Sequence, residues 1–121
     1  MSSIKIADIC ELFWAGGFWD GEGSINAPKN PSRRDYLVPR ANANQNNILV
    51  LKRLQNAVNM GRIYGPYSRN KQGWSEEYQW VITGYDSVTK FFYLIRPFIG
   101  AVKISQGQRI LSVYKEYNNG S

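Results

Sequence analysis

Apolar and small residues return every three or four positions through Ile9, Leu12, Phe13, Ala15, Gly16 and Trp19, a spacing that predicts a first amphipathic helix closing at Gly21 and Gly23. The pattern then changes period. Ser24 to Pro28 alternates and predicts a strand, and Asn30 to Asp35, with Pro31 and the Arg33-Arg34 pair, reads as a polar loop. In Tyr36 to Asn44 the residues Arg40, Asn42 and Asn44 fall on one face and Ala41 and Ala43 on the other, so this strand has one polar and one small apolar side. Asn46 or Asn47 caps a helix whose stripe is Ile48, Leu51, Leu54 and Val58, with Gly61 past its end. Arg62 to Tyr67 is a third strand, followed by a basic turn from Ser68 to Gly73. Tyr78 to Thr83 is the fourth, with Tyr78, Trp80 and Ile82 inward. Asp86 or Ser87 caps a short helix with Val88, Phe91, Phe92 and Ile95 on one side, stopped before Pro97. A last helix starts at Ser105, with Ile110, Val113 and Tyr117 as its stripe, and Asn118 to Ser121 is expected to be a disordered tail.

The resulting order is helix, two strands, helix, two strands, two helices. It predicts an α+β fold in which helices cover the apolar face of a four-stranded antiparallel sheet and leave its polar face open. That face carries Asn26, Arg40, Asn42, Asn44, Tyr64, Glu77 and Gln79. Such a set can hydrogen-bond to base edges, Arg to guanine and Asn or Gln to adenine; an ordinary solvated face is the competing reading.

Composition narrows the chemistry. At 121 residues the chain fits a single domain over 1–121. Its 15 Lys+Arg against 9 Asp+Glu give a formal charge of +6, which favours a nucleic-acid partner over an acidic small molecule. The absence of histidine removes the Ser and Cys triads, the usual zinc sites and nucleases that use histidine as base or ligand. Any metal must be hard and oxygen-bound. One cysteine, Cys10, excludes an internal disulfide framework, so an intracellular setting is expected. No apolar run approaches the length of a membrane span, and no signal peptide is read at the N-terminus.

Chemistry concentrates in Phe13 to Ser24. Glycines inside a helix cost about 0.8–1 kcal/mol each relative to alanine, so Gly16, Gly17 and Gly21 imply close approach of a second helix. Asp20 and Glu22 fall at the negative end of the helix dipole, and that placement calls for a cationic offset.

The run Ala15-Gly16-Gly17-Phe18-Trp19-Asp20-Gly21-Glu22-Gly23, followed by Ser24-Ile25, resembles the nine-residue motif of the LAGLIDADG homing endonucleases. Ala15 replaces the usual leucine, Trp19 is bulkier than the common aliphatic residue, and Glu22 stands for aspartate. The resemblance implies the family's αββαββα core over nearly the whole chain. It implies that Gln45 positions the attacking water and that Lys103, followed by Gln106, is a basic active-site residue. A single motif copy implies a homodimer joined through Ala15, Gly16, Gly17, Trp19 and Asp20, with Asp20 supporting the helix end. Glu22 and the Gly21 carbonyl would then hold Mg2+, for which Mn2+ or Ca2+ can substitute in binding. Asn26, Asn30, Arg40, Asn42, Tyr64, Arg69, Lys71, Glu77 and Gln79 would contact double-stranded DNA, with Arg33 and Arg34 on phosphates. The expected activity is metal-dependent, site-specific cleavage of a pseudo-palindromic target, encoded in an intron of organelle, phage, bacterial or archaeal origin, with no membrane and no small-molecule cofactor. A maturase for intron RNA or a non-cleaving DNA binder on the same scaffold is the nearest alternative. A sheet-based single-strand RNA binder is the more distant one, although its open face should be dominated by aromatics.

Overall fold

Helix α1 spans Ile6–Glu22 and leads directly into strand β1, Gly23–Asn26. Two short strands, β2 (Lys29–Asn30) and β3 (Arg33–Leu37), form a separate antiparallel pair where a loop is expected from the sequence. Strand β4 (Arg40–Gln45), helix α2 (Ile48–Val58), strands β5 (Arg62–Ser68) and β6 (Glu76–Thr83), helix α3 (Tyr85–Ile95), a 3-10 turn (Arg96–Phe98) and helix α4 (Ala101–Asn119) complete the chain. The computed structural model describes residues 5–27, 29–30, 33–68 and 76–119. The basic turn with Arg69 and Lys71 lies outside them.

The main sheet is antiparallel with strand order β1-β4-β6-β5. Alternation sorts its two faces as the sequence predicts. Register brings Ile25, Ala41 and Ile82 together, and Ala43 beside Trp80, on the covered side, all at most 6% exposed. From above come Leu12, Ala15 and Trp19 of α1, Leu51, Leu54 and Val58 of α2, and Val88, Phe91, Phe92 and Ile95 of α3. Trp19, Trp80 and Phe91 meet with ring centroids 4.8–5.7 Å apart, and Ala41 and Ala43 leave the depth this trio occupies. Each such pair adds about 0.5–1.5 kcal/mol beyond the area it buries.

Helix α2 begins as expected, with the Asn47 side chain accepting from the Leu49 N–H, and ends at the left-handed Asn59. Helix α3 is capped at Gly84, two residues before the expected Asp86, and has no side-chain cap hydrogen bond. The last helix differs more. It begins at Ala101 rather than Ser105 and continues through Asn119, so the expected tail is helical up to that residue. Its inward residues are Gly107 and Leu111, with Ile104 and Ile110 half-buried, whereas Val113 is exposed.

On the outer side of α1 and α2, Arg53 makes a two-pronged bond to Glu11 at 2.8 and 2.9 Å and lies over the Trp14 ring at 4.2 Å. The guanidinium holds the Glu11 carboxyl below its ordinary range and is itself raised in return. Both groups are solvated, so the pair aligns the two helices more than it stabilises them.

Candidate functional site

The last turn of α1 and the first turn of α4 meet, and each supplies what the other lacks. Both carboxylate oxygens of Asp20 accept from the Gly100 N–H, at 3.0 and 3.1 Å. Gly100 is the residue whose carbonyl takes the first bond of α4, from Ile104. The acid disfavoured at the end of α1 therefore sits on the positive end of α4, an arrangement worth about 0.3–1 kcal/mol. In the opposite direction, Lys103 in the first turn of α4 donates to the carbonyl of Gly23, where α1 passes into β1. The dipole of α1 thus gains its cation, and Asp20 is answered by a helix terminus instead.

Strand β1 is an edge of the sheet, and α4 covers that edge with side chains. Next to the Lys103 bond, Gln106 Oε1 accepts from the Ile25 N–H at 3.0 Å. Gly23 and Ile25 alternate with Ser24 along the strand, so the two side chains satisfy the backbone groups turned away from β4. Lys103 and Gln106, three positions apart on α4, hold the strand that begins one residue after Glu22. Replacing Gln106 with leucine is expected to speed hydrogen exchange at the Ile25 amide at least about tenfold, the scale of one lost hydrogen bond, with Gln106→Glu restoring protection because it keeps the acceptor. Unchanged exchange in the leucine variant would remove this role.

Glu22 is exposed, and among the described residues none donates to its carboxylate or pairs with it. The helical ladder ends with the Gly23 N–H on the Trp19 carbonyl, so the carbonyls of Asp20, Gly21 and Glu22 lie beyond it. Among the described residues no three acidic, cysteine or histidine side chains gather into a metal site. An exposed carboxylate without a described partner, next to carbonyls past the end of the helical ladder, fits Mg2+, which is commonly held by one or two carboxylates, waters and substrate phosphates.

Gln45 lies at the same end of the sheet, two residues beyond the Ala43 that pairs with Gly23. Its position on β4 shares the side of Ala41 and Ala43, and its side chain accepts from the Asn46 N–H at 3.0 Å. The fold thus brings Glu22, Gln45 and Lys103 to one margin of the sheet, with Gln45 and Lys103 already bonded to backbone groups.

The expected dimer contacts need correction. Ala15 and Trp19 are 0% and 1% exposed, in this chain's own core, and Gly16 is buried as well. A Cβ at Gly16 would stand 2.1 Å from the Phe98 carbonyl oxygen, so the close approach this glycine permits is to the 3-10 turn of the same chain. Gly23 works similarly: a Cβ there would enter the Trp19 ring, and its backbone is extended rather than the chain-reversing conformation expected of it. Gly17, Asp20 and Gly21 remain on the surface.

The open face of the sheet is wired across its strands. Asn26 Nδ2 donates to Asn42 Oδ1 at 3.3 Å, Arg40 Nη2 to Gln79 Oε1 at 2.8 Å, and Gln79 Nε2 to Asn44 Oδ1 at 3.0 Å. Tyr64 stands opposite Gln79, and Glu77 lies farther along β6, opposite Tyr67. Asn30, Arg33 and Arg34 fall on the β2–β3 pair. Asn44 belongs to the wired set although it is absent from the expected contacts; its parity with Asn42 was the available signal. A groove beside the β5 edge, lined by Asn59, Arg62, Tyr64, Thr83 and Lys90, adds two cations that the sequence reading had not singled out.

No family model matches the sequence, and no curated protein matches it. Solved structures do. The chain superposes over 95% of its length on 72% of the homing endonuclease I-CvuI, crystallised with uncleaved target DNA in the presence of 2 mM Mg, with a TM-score of 0.72 and 21% identity. Similar superpositions join 98% of it to 39% of the LAGLIDADG homing endonuclease I-GzeII in complex with its DNA target, at TM-score 0.68 and 20% identity, and to 59% of the group I intron-encoded I-CeuI complexed with DNA, at 0.63 and 20%. The chain has the LAGLIDADG homing endonuclease fold.

Proposed function

We propose that this chain is a LAGLIDADG homing endonuclease: a homodimer that cleaves both strands of a pseudo-palindromic DNA site by metal-dependent phosphodiester hydrolysis, and that an intron encodes it. The observation that carries this reading is the exposed Glu22 carboxylate, without a partner among the described residues, at the point where α1 leads into an open, polar, Arg- and Asn-bearing sheet face. Mg2+ held by Glu22, the Gly21 carbonyl and DNA phosphates would polarise the scissile phosphate and activate water. The residues prepare that position. Lys103 and Gln106 anchor β1, Asp20 ties the end of α1 to α4, and Gln45 offers an amide that orients water once it leaves Asn46. Lys103 retains ammonium donors for phosphate beyond its bond to Gly23.

The dimer is supported by the outer face of α1. Ile6, Cys10, Phe13, Gly17 and Gly21 follow one another at three- or four-residue steps and are all exposed, Ile6 by 80% and Phe13 by 62%. A second copy packed there brings two Glu22 carboxylates together, one for each DNA strand.

The test uses the full chain and a supercoiled plasmid library with randomised pseudo-palindromic inserts. Linearisation of a sequence-restricted subset with Mg2+, and none with chelator, is expected. Specific binding without cleavage under Mg2+, Mn2+ and Ca2+ would replace the nuclease with a binding protein, and preference for folded RNA would replace it with a maturase.

A further inference from the structure

Arginine has five donors and no acceptor, and this fixes the direction of a hydrogen-bond relay on the open face. Because Arg40 Nη2 donates to Gln79, the atom facing it must be the amide oxygen. The Gln79 nitrogen therefore turns to Asn44 and donates to Oδ1, which leaves the Asn44 nitrogen directed away from Gln79. Asn44 is the register partner of Gln79, and Arg40 lies four residues along β4 on the same face. Arg40 Nε is buried and has no partner among the described residues. The relay thus ends, among the described residues, in donors without a partner on Arg40 and Asn44, and its central amide has one oxygen lone pair and one N–H engaged by its neighbours.

We propose, resting on the DNA-binding reading above, that β4 reads base acceptors and that Gln79 is a positioning residue that sets which atoms Arg40 and Asn44 present to the bases. A free Gln or Asn reads adenine by accepting from N6 while donating to N7; Gln79 has one lone pair engaged by Arg40 and one N–H on Asn44, and these two bonds set the direction of both neighbours. Asn44 has its oxygen engaged and offers N–H, which suits the acceptors guanine O6 or N7, adenine N7 or thymine O4. Arg40 keeps Nη donors beyond its bond to Gln79, and these suit the paired N7 and O6 acceptors of guanine. Four strand residues span about 13 Å, so the two readings fall about four base steps apart where the strand follows the groove.

The test is a binding selection in Ca2+ from duplexes with randomised half-sites, for the wild type, Arg40→Met, Gln79→Met and Gln79→Glu. The wild type should enrich guanine at one position, and Arg40→Met should remove that preference. Gln79→Met should lower enrichment about tenfold at two positions, those of Arg40 and Asn44, without erasing a third. Gln79→Glu keeps the acceptor for Arg40 and loses the donor to Asn44, so guanine should persist while the Asn44 position turns to a base that donates, adenine or cytosine. Loss of a separate adenine position in Gln79→Met, with the other two intact, overturns the proposal. A second readout needs no DNA: Arg40→Met should shift the Gln79 and Asn44 side-chain amide resonances together, and their failure to move would also overturn it. If the wild type enriches no sequence while those resonances do shift, the DNA-binding reading has failed and the relay has not.

Discussion

Replacing Glu22 with glutamine is expected to lower single-turnover DNA cleavage in Mg2+ by about 10³-fold or more, while binding of the same site in Ca2+ stays within a few-fold and folding is unchanged. The magnitude is that of removing a charge-stabilising group from a reaction centre. The expectation of normal folding comes from the structure: Glu22 is exposed and no described residue bonds to it, so its loss touches no internal contact and should stay within about 0.5 kcal/mol. Asp20, two residues earlier, should behave in the opposite way. Its two oxygens hold the Gly100 N–H at the start of α4, so Asp20→Asn weakens the junction between helices and lowers the melting temperature before it affects chemistry. The two variants separate the roles of two acids only two residues apart in the sequence. Cleavage by Glu22→Gln within tenfold of the wild type would remove Glu22 from the reaction.

Most of the fold was legible because each element carries its own period. The alternation of Arg40, Asn42 and Asn44 with Ala41 and Ala43 states both faces of β4, and Val88, Phe91, Phe92 and Ile95 state the buried side of α3. What was hidden depends on residues far apart in the chain. The start of α4 at Ala101 has no local Ser, Asp or Asn cap; its carboxylate comes from Asp20, 80 positions earlier, so capping rules settled on Ser105 instead. The glycines of α1 signal close approach, yet nothing local says that Gly16 faces the Phe98 backbone while Gly17 faces outward. The same holds on the open face. Sequence shows which polar residues share it, whereas the direction of each amide follows only from the neighbour that Arg40 meets across the strands.

Alanine at Gly16 and at Gly17 should have opposite consequences, and together they test both the packing of α1 and the proposed dimer. In Gly16→Ala the new methyl would stand 2.1 Å from the Phe98 carbonyl oxygen and 2.6 Å from its Cβ. The first of these obstacles is main chain, so the 3-10 turn has to move off α1, taking Gly100 away from Asp20. Overpacking of this kind costs about 1–3 kcal/mol, partly offset by up to about 1 kcal/mol of helix propensity. A melting temperature lower by about 5–10 °C is expected. At Gly17 a Cβ meets nothing within 4 Å, so within one chain the substitution brings only the propensity gain. Between two copies packed along the Phe13–Gly17–Gly21 face, the same methyl falls where the helices come closest. Sedimentation should therefore show Gly17→Ala shifted toward monomer, with a melting temperature that depends on concentration in the wild type and no longer does in the variant. A Gly17→Ala chain that remains fully dimeric would move the interface off this face of α1. An unchanged melting temperature in Gly16→Ala would mean that the turn at Phe98 yields more easily than its main-chain contact implies.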